Sequence, residues 1–330
     1  MGLSHRERIE RTISGQKVDR PAVSLWRHFP VDDQNPEELA RSILNFQDRF
    51  DFDFIKITPA SSFCLKDWGL LDEWHGNPEG TRQITNHPIV KKEDWEKLKP
   101  ISPVHGSLGR QLSNLQLVRK GTPDTTPILQ TIFSPLSQVK NLVGKENLVP
   151  HIRIYPDEVK KALQVITDTT IDFINECILV GVDGIFYAIQ QAQYSLLNES
   201  EFREFGEFYD RQVLEAARPL WFKLGHVHGS NIMFDIIKEY PINMINWHDQ
   251  ETLPNLKSGK VLFPNGAVCG GLKQWETLAY GNPSQVKEEA FRAIDQTNGE
   301  RFVLGTGCVT PIIAPDSNIF AVRQSVEELK

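Results

Sequence analysis

The sequence contains no apolar run long enough to cross a bilayer and no cluster of basic residues. The charged segment 1–15 is not followed by the apolar core that a signal peptide requires. The formal net charge is -7 and the pI is about 5.8, so the surface does not attract nucleic acid or an anionic membrane. We therefore expect a cytoplasmic protein that has neither nucleic acid nor a membrane as a partner.

Cysteines and phosphate-binding glycine motifs are also scarce. The chain has four cysteines, widely separated along the sequence: Cys64, Cys177, Cys269 and Cys308. In a reducing compartment such cysteines are free thiols and do not form a disulfide framework. No Gly-x-Gly-x-x-Gly motif follows the first apolar run, and this absence disfavours a dinucleotide-binding fold.

Short apolar runs rich in β-branched residues alternate with longer amphipathic patterns. We predict eight strands, at 21–26, 52–58, 127–133, 184–189, 220–228, 242–247, 267–272 and 301–305. The helices predicted between them span 36–50, 135–143, 156–180, 199–219, 231–239, 274–279 with 284–297, and 315–328. This alternation indicates a parallel sheet. Eight such units over 330 residues fit a single α/β domain (1–330) with a (β/α)8 TIM-barrel fold better than an open doubly wound sheet.

The stretch 60–126 interrupts the alternation between the second and third predicted strands. It is rich in Pro, Gly, Asn and Trp, and we predict a long insertion made of loops with one short helix near 93–98. An insertion at this point follows the carboxyl end of a barrel strand. We therefore expect it to cover the active face.

Two histidines and a cysteine form the strongest candidate site. His226 and His228 end the fifth predicted strand, and residues two apart on a strand point to the same face. Cys308 follows the last predicted strand in a Gly-Thr-Gly-Cys sequence, and the carboxyl ends of barrel strands meet at one face. Two imidazoles and a thiolate are typical of an open, catalytic zinc site. Hydrogen-bonded histidines and a small buried cysteine are the structural alternative.

Charged residues at the first two strands are further candidates. Arg27 is either a solvated or rim-paired arginine or the anchor for an anionic substrate group. Lys56 lies inside an apolar strand, where a lysine is costly without a partner such as Asp53. That pair is either structural or part of the site.

Later strand ends contribute the remaining candidates. His248, followed by Asp249, is either part of a turn and helix cap or the source of an acid, a base or a fourth metal ligand. Tyr187 and His248 are the candidates for proton handling. Three residues are assigned to cofactor binding: Gln190, Gly270 and Gly271.

These segments resemble the uroporphyrinogen decarboxylase superfamily over nearly the whole chain. The similar blocks are 19–27, 52–56, 133–136, 190–205, 305–311 and 314–318. The first block reads Asp-Arg-Pro-Ala-Val-Ser-Leu-Trp-Arg, and the fifth reads Gly-Thr-Gly-Cys-Val-Thr-Pro. The resemblance implies a (β/α)8 barrel and a homodimer, and it is much less specific for any one activity within the superfamily.

The decarboxylases of this superfamily need no metal, and this chain largely lacks their substrate-binding set. Arg27 matches their first arginine, but Val31 stands where the second is found. Asp53 matches the family aspartate, whereas Thr306 replaces the histidine of the last strand. Decarboxylation of uroporphyrinogen or of a smaller carboxylated ring is therefore kept as an alternative.

The corrinoid-dependent methyltransferases of the superfamily carry zinc on a His-x-Cys pair and a distant cysteine. His226 matches the first of these ligands and Cys308 the last, but His228 stands where that branch has cysteine. Two neutral imidazoles and one thiolate leave a Zn²⁺ site with a net charge near +1 instead of 0, which makes the metal a stronger Lewis acid. A thiolate held there is correspondingly less nucleophilic.

The resemblance to the methyltransferase branch leads to the predicted function. We expect Zn²⁺ on His226, His228 and Cys308, and a methyl group that moves from a methylated corrinoid, on a separate protein, to a thiol acceptor. Arg27 and Lys56 would anchor the anionic end of that acceptor. Besides decarboxylation, two alternatives stay open: a zinc lyase or hydrolase that uses metal-bound water, and a non-enzymatic protein that binds a corrinoid or haem.

Overall fold

The computed structural model describes residues 2–328, which contain ten strands and twelve α-helices. The strands are β1 (Ala22–Val23), β2 (Ile55–Ile57), β3 (Leu71–Glu73), β4 (Gln83–Asn86), β5 (Ile128–Phe133), β6 (Gly184–Ile189), β7 (Phe222–Val227), β8 (Met244–Trp247), β9 (Ala267–Leu272) and β10 (Phe302–Thr306). The helices are α1 (His5–Ser14), α2 (Pro36–Phe50), α3 (Gly106–Gly121), α4 (Pro135–Val143), α5 (Leu148–Ile154), α6 (Pro156–Val180), α7 (Glu199–Phe202), α8 (Phe208–Ala216), α9 (Phe234–Ile237), α10 (Leu256–Leu262), α11 (Pro283–Thr297) and α12 (Asp316–Ser325). A π-helical turn, Arg203–Glu207, joins α7 to α8.

Eight parallel strands form one curled sheet in the order β1-β10-β9-β8-β7-β6-β5-β2. The two outermost strands of this order are held together by the amide of Asp53, which donates to the carbonyl of Val23 (2.9 Å). The hydroxyl of Ser24 also donates to the carbonyl of Phe54 (3.0 Å). The fold is thus α/β with a TIM-barrel-like sheet, and each of its strands lies within one of the eight predicted segments or within one residue of it.

Aromatic side chains fill the inside of the curled sheet. Trp26 packs against Phe54 and Phe186, with ring centroids 6.1 and 5.3 Å apart, and Phe222 meets Phe54 edge-on at 5.2 Å. All four rings are buried. Because successive residues of a strand face opposite sides, the residue that follows Trp26 or Phe186 faces the surrounding helices.

Local capping explains where several helices begin. The Ser4 side chain accepts from the amide of Glu7, and the Glu7 side chain accepts from the amide of Ser4, so a capping box begins α1. Asn35 caps α2 ahead of a proline, and Asn282 caps α11 in the same way. Each cap satisfies backbone amides that have no partner within the helix.

The stretch 60–126 contains more regular structure than we predict. The short helix expected near 93–98 is a 3₁₀ helix, Lys92–Lys97, and β3 pairs with β4 in a small antiparallel hairpin. The loops expected over 106–121 are wrong, because α3 occupies these residues. Its buried residues Leu108, Leu112 and Leu115 follow helical spacing. Three glycines in this segment weaken its helical propensity and obscure that pattern.

Two other helices, α5 and α10, are also absent from the predicted set, and the helix predicted over 231–239 is confined to α9. The predicted helices at α2, α4 and α6 are confirmed residue for residue. Within residues 2–328, no helix combines the length and the apolarity that a bilayer crossing needs.

Candidate metal centre

Four side chains converge at the carboxyl ends of three parallel strands, β7, β8 and β10. His226 lies at the end of β7 and His228 just beyond it, while His248 follows β8 and Cys308 follows β10. One ligand atom from each residue lies within 4.8 Å of the others. His228 Nδ1 is 3.2 Å from His248 Nε2 and 3.7 Å from Cys308 Sγ. The three residues predicted as metal ligands are therefore brought together, with His248 as a fourth donor.

Asn246 fixes the orientation of the deepest of these ligands. Its Oδ1 lies 2.6 Å from His226 Nδ1, and its Nδ2 donates to the carbonyls of Cys269 and Thr306, each at 2.9 Å. Because Nδ2 has two acceptors, Oδ1 must accept, so His226 Nδ1 carries the proton. The free Nε2 of His226 is then the nitrogen available to a metal.

Burial sets the protonation states of the cluster. It lowers the pKa of His226 well below its usual value and that of His228 to about 4, and it also lowers the pKa of His248. In each case burial has the largest effect. All three imidazoles are thus neutral at neutral pH, the form that binds metal. Burial raises the pKa of the Cys308 thiol to about 12, so this sulfur needs a cation to become a thiolate.

The donor set fits Zn²⁺ better than a hard cation. Mg²⁺ and Ca²⁺ require oxygen ligands, whereas imidazole nitrogen and thiolate sulfur are the ligands that Zn²⁺ prefers. Tetrahedral coordination needs four donors, and the cluster offers four in one place. If all four bind, one must leave before a substrate can reach the metal.

His248 is held less firmly than His226. Its Nδ1 lies 3.3 Å from a carboxylate oxygen of Glu251, whose side chain is about half exposed. It sits in the loop after β8, whereas His226 belongs to a strand and is held through Asn246. Of these two donors, His248 is therefore the one that could leave a bound metal at the smaller structural cost.

Lys56 points into the barrel beside this cluster. Its Nζ lies 4.5 Å from the centre of the Phe186 ring. The same ring stacks on the His226 imidazole, with the ring centroids 5.3 Å apart. The predicted partner Asp53 does not reach it; Thr58 Oγ1, at 3.3 Å, is its only hydrogen-bond partner among the described residues. Burial lowers the pKa of Lys56 to about 7.

Asp53 lies at the opposite end of the barrel, which corrects its assignment to the substrate site. It precedes β2, and its buried carboxylate binds Arg8 Nη1 (2.6 Å) and Arg20 Nη1 (2.7 Å). It also accepts from the amide of Val23 (2.8 Å). Asp53 therefore ties α1 and the first strands together at the amino ends of the strands.

Arg27 and Tyr187 both face away from the cluster, so the roles expected for them also need correction. The Arg27 guanidinium lies over the rings of Phe29 (5.2 Å) and Phe46 (5.3 Å). The Tyr187 hydroxyl donates to Asp210 (2.6 Å), on α8. Each follows an aromatic residue whose ring faces the inside of the barrel, and each contacts a helix instead, Arg27 through Phe46 of α2 and Tyr187 through Asp210 of α8.

The three residues predicted to bind a cofactor have different surroundings. Gly271 has φ +105°, and a Cβ there would collide with Ala293 on α11, so it faces the helices and not the barrel mouth. Gly270 leaves room for the Asp249 carboxylate, which accepts from the Gly271 amide (3.1 Å). Gln190 follows β6 with its Oε1 buried and without a hydrogen-bond partner. For Gln190 and Gly270, cofactor binding stays a prediction.

Four residues at or near the cluster are not predicted from the sequence: Asn246, His28, Glu79 and Lys140. Asn246 could have been found, because it is a polar residue within an apolar strand. His28 and Lys140 lie close enough to Lys56 and His228, respectively, to affect their surroundings electrostatically. Glu79 and Lys140 carry no local signal, because only the tertiary fold brings their segments to the barrel mouth.

Known proteins resemble this chain over its whole length. The uroporphyrinogen decarboxylase (URO-D) family matches residues 4–329. The methylcobamide:CoM methyltransferase MtbA of Methanosarcina acetivorans is 23% identical and covers 98% of each chain; MtbA of Methanosarcina mazei is 21% identical and covers 95% of each. A solved structure, a methyltransferase from Methanosarcina mazei, shares the fold with a TM-score of 0.85 at 18% identity and covers 99% of each chain. Since the family match spans nearly all residues, the chain belongs to the uroporphyrinogen decarboxylase family, as its sequence blocks predict.

Proposed function

We propose that this protein is a zinc-dependent methyltransferase that moves a methyl group from a corrinoid to a thiol. The observation that carries the proposal is the convergence of His226, His228, His248 and Cys308 at the barrel mouth. The full-length relatives named methylcobamide:CoM methyltransferase support the same chemistry. Bound at this cluster, Zn²⁺ would lower the pKa of a substrate thiol and so supply a nucleophile at neutral pH.

The residues of the chain prepare that reaction by positioning and by excluding water. Asn246 fixes the His226 ring through Nδ1 and so leaves Nε2 free for a metal, and the Phe186 ring stacks on the imidazole at 5.3 Å. Lys56 lies beside the cluster and favours an anionic substrate group there. In the transfer, the sulfur electron pair forms the S–C bond while the Co–C bond breaks and leaves its electron pair on the corrinoid. The thiol proton is released to solvent.

We also infer that part of the segment 60–126 covers the mouth. The carbonyl of Pro78 accepts from the amide of Ile312 (2.8 Å), in the loop that follows Cys308. Gly80 lies so close to His28 that a Cβ there would meet the histidine side chain. These contacts support a cover over the site, as the position of the segment after β2 predicts. A donor corrinoid on a separate protein would approach beside this cover.

Decarboxylation loses two of its supports. Arg27 lies in the helix layer and Asp53 at the far end of the barrel, so neither is placed to bind the carboxylates of a ring substrate. Hydrolysis or elimination by metal-bound water remains the second candidate, because His228 supplies an imidazole where the methyltransferase branch has a sulfur ligand. Methyl transfer is favoured, since the full-length relatives carry that name.

Metal content and methyl transfer test the proposal together. We expect one zinc per chain in the purified protein, a marked loss of zinc in His226→Ala and Cys308→Ser, and demethylation of methylcobalamin in the presence of a thiol such as CoM. Formation of coproporphyrinogen from uroporphyrinogen would favour the decarboxylase alternative. Absence of stoichiometric zinc in the wild type would refute the proposal. Size-exclusion chromatography of the same sample tests the predicted homodimer.

A further inference from the structure

Two groups of opposite charge flank the cluster, and neither has an oppositely charged partner among the described residues. The first is Lys56, which is buried inside the barrel and contacts only the Thr58 hydroxyl (3.3 Å) and the face of Phe186 (4.5 Å). It is close enough to Cys308 for each charge to affect the pKa of the other. A lysine in such surroundings is stabilised by any anion that binds beside it.

The second group is Glu79, in the segment that covers the mouth. Its carboxylate is half-buried, and among residues 2–328 it makes no hydrogen bond and no ion pair. The backbone amide of Glu79, in contrast, donates to the Asn77 side chain (2.9 Å). Burial and, to a smaller extent, the charge of Glu251 raise the pKa of Glu79. Its charge also reaches Cys308.

The two groups therefore approach the cluster from different sides. Lys56 comes from β2, inside the barrel, and Glu79 comes from the covering segment, whose Pro78 is fixed to the loop after Cys308. They do not form an ion pair with each other. Among residues 2–328, two further buried polar atoms have no hydrogen-bond partner: Gln191 Oε1, on the loop after β6, and His28 Nδ1, beside Lys56. The surroundings of the cluster are thus built for a polar ligand with more than one recognised group.

We propose that the thiol acceptor is a zwitterion that carries both an ammonium group, bound by Glu79, and a carboxylate, bound by Lys56. This inference rests on the proposed function and specifies its acceptor as a thiol of the amino-acid type. A thiol with only an anionic group would leave Glu79 without a partner, and a simple aminothiol would leave Lys56 without one. Each unsatisfied charge reduces affinity, so the site selects for both groups at once.

Binding of three related thiols to the zinc-loaded protein tests this pairing. Homocysteine carries both charged groups, its des-amino analogue lacks the ammonium, and its des-carboxy analogue lacks the carboxylate. By calorimetry we expect homocysteine to bind roughly tenfold more tightly than either analogue, the usual effect of one charge-assisted hydrogen bond. Equal affinity for homocysteine and the des-amino analogue would overturn the inference while leaving the proposed function intact.

Matched variants assign each group. Glu79→Gln should weaken homocysteine binding roughly tenfold and leave the des-amino analogue unchanged, whereas Lys56→Met should spare only the des-carboxy analogue. Glu73→Gln, an exposed carboxylate of the same hairpin, is the control and should alter neither. Circular dichroism and zinc content confirm that each variant is folded and loaded. A Glu79→Gln effect of the same size on both thiols would overturn the assignment, and failure of all thiols to bind would refute the proposed function as well.

Discussion

Replacing Asn246 by alanine should weaken metal binding without touching any ligand atom. In the folded protein the Asn246 Oδ1 accepts from His226 Nδ1 (2.6 Å), and its Nδ2 donates to the carbonyls of Cys269 and Thr306 (2.9 Å each). The side chain is fully buried in β8. Alanine removes all three hydrogen bonds and frees the imidazole to rotate.

The size of the effect follows from these contacts. A residue that orients a metal-binding histidine typically contributes 10–100-fold to metal affinity, or about 1.4–2.8 kcal/mol. Three buried hydrogen bonds at about 1 kcal/mol each put the loss of unfolding free energy at about 3 kcal/mol. The loss of metal affinity is smaller than that expected for Cys308→Ser, which removes a ligand outright.

A competition titration with a zinc-binding dye measures the affinity, and urea unfolding of the metal-free protein measures the stability. Asn114→Ala is the control, because Asn114 is another buried asparagine, on α3, with hydrogen bonds to Pro36 (3.1 Å) and Gln111 (3.3 Å). We expect it to lose about 2 kcal/mol of stability and no zinc affinity. If Asn246→Ala binds zinc as tightly as the wild type, the orienting role assigned to Asn246 is refuted.

Three further predictions concern residues whose surroundings the structure defines. Asp53→Asn should lower the free energy of unfolding by about 3–5 kcal/mol in urea titrations, because it leaves two buried arginines short of a charge partner, while zinc content stays unchanged. Burial raises the pKa of Asp210 from 3.8 to about 7, so the folded state retains a proton that the unfolded state releases. The free energy of unfolding of the wild type should therefore decrease as the pH rises from 3.8 to about 7. Asp210→Asn should abolish that part of the pH dependence of the unfolding free energy. An unchanged pH dependence in this variant would show that the titration of Asp210 does not cause it. Finally, Lys56→Met should weaken binding of an anionic thiol roughly tenfold, whereas Arg27→Ala should leave it unaffected; calorimetry with the zinc-loaded variants would show the reverse if Arg27 were the anchor.

The extent to which the sequence predicts this site depends on how local each signal is. His226 and His228 could be placed on one face because two-residue spacing on a strand is a local property. Arg27 and Tyr187 could not be oriented correctly, because the face that a strand residue occupies depends on its neighbours in the core, here Trp26 and Phe186. The sequence does not reveal that Asp53 lies at the amino end of β2, because the apolar pattern 52–58 that contains it extends beyond this strand at both ends.

Residues outside the strands obey no such local rule. Glu79 lies in the segment 60–126 and Lys140 lies in α4, and their approach to the cluster depends on how these elements pack near the barrel mouth. The strand count and most helices follow from apolar periodicity, whereas α3 does not, because its glycines weaken the helical signal. Apolar periodicity thus predicts the strands and most helices, whereas tertiary packing determines which charged residues lie near the cluster.

The presence of histidine instead of cysteine at position 228 changes the number of protons that metal binding releases. Burial keeps His226 and His228 neutral, so neither has a proton to release at neutral pH, whereas the same burial keeps Cys308 protonated. Metal binding therefore releases one proton here, from Cys308, where a site with two cysteines would release two. Zinc affinity should consequently rise about tenfold per pH unit around neutrality instead of about a hundredfold. Zinc bound at this cluster would thus combine a weaker pH dependence of loading with greater electrophilicity, and easier deprotonation of a substrate thiol would compensate for the lower nucleophilicity of the thiolate.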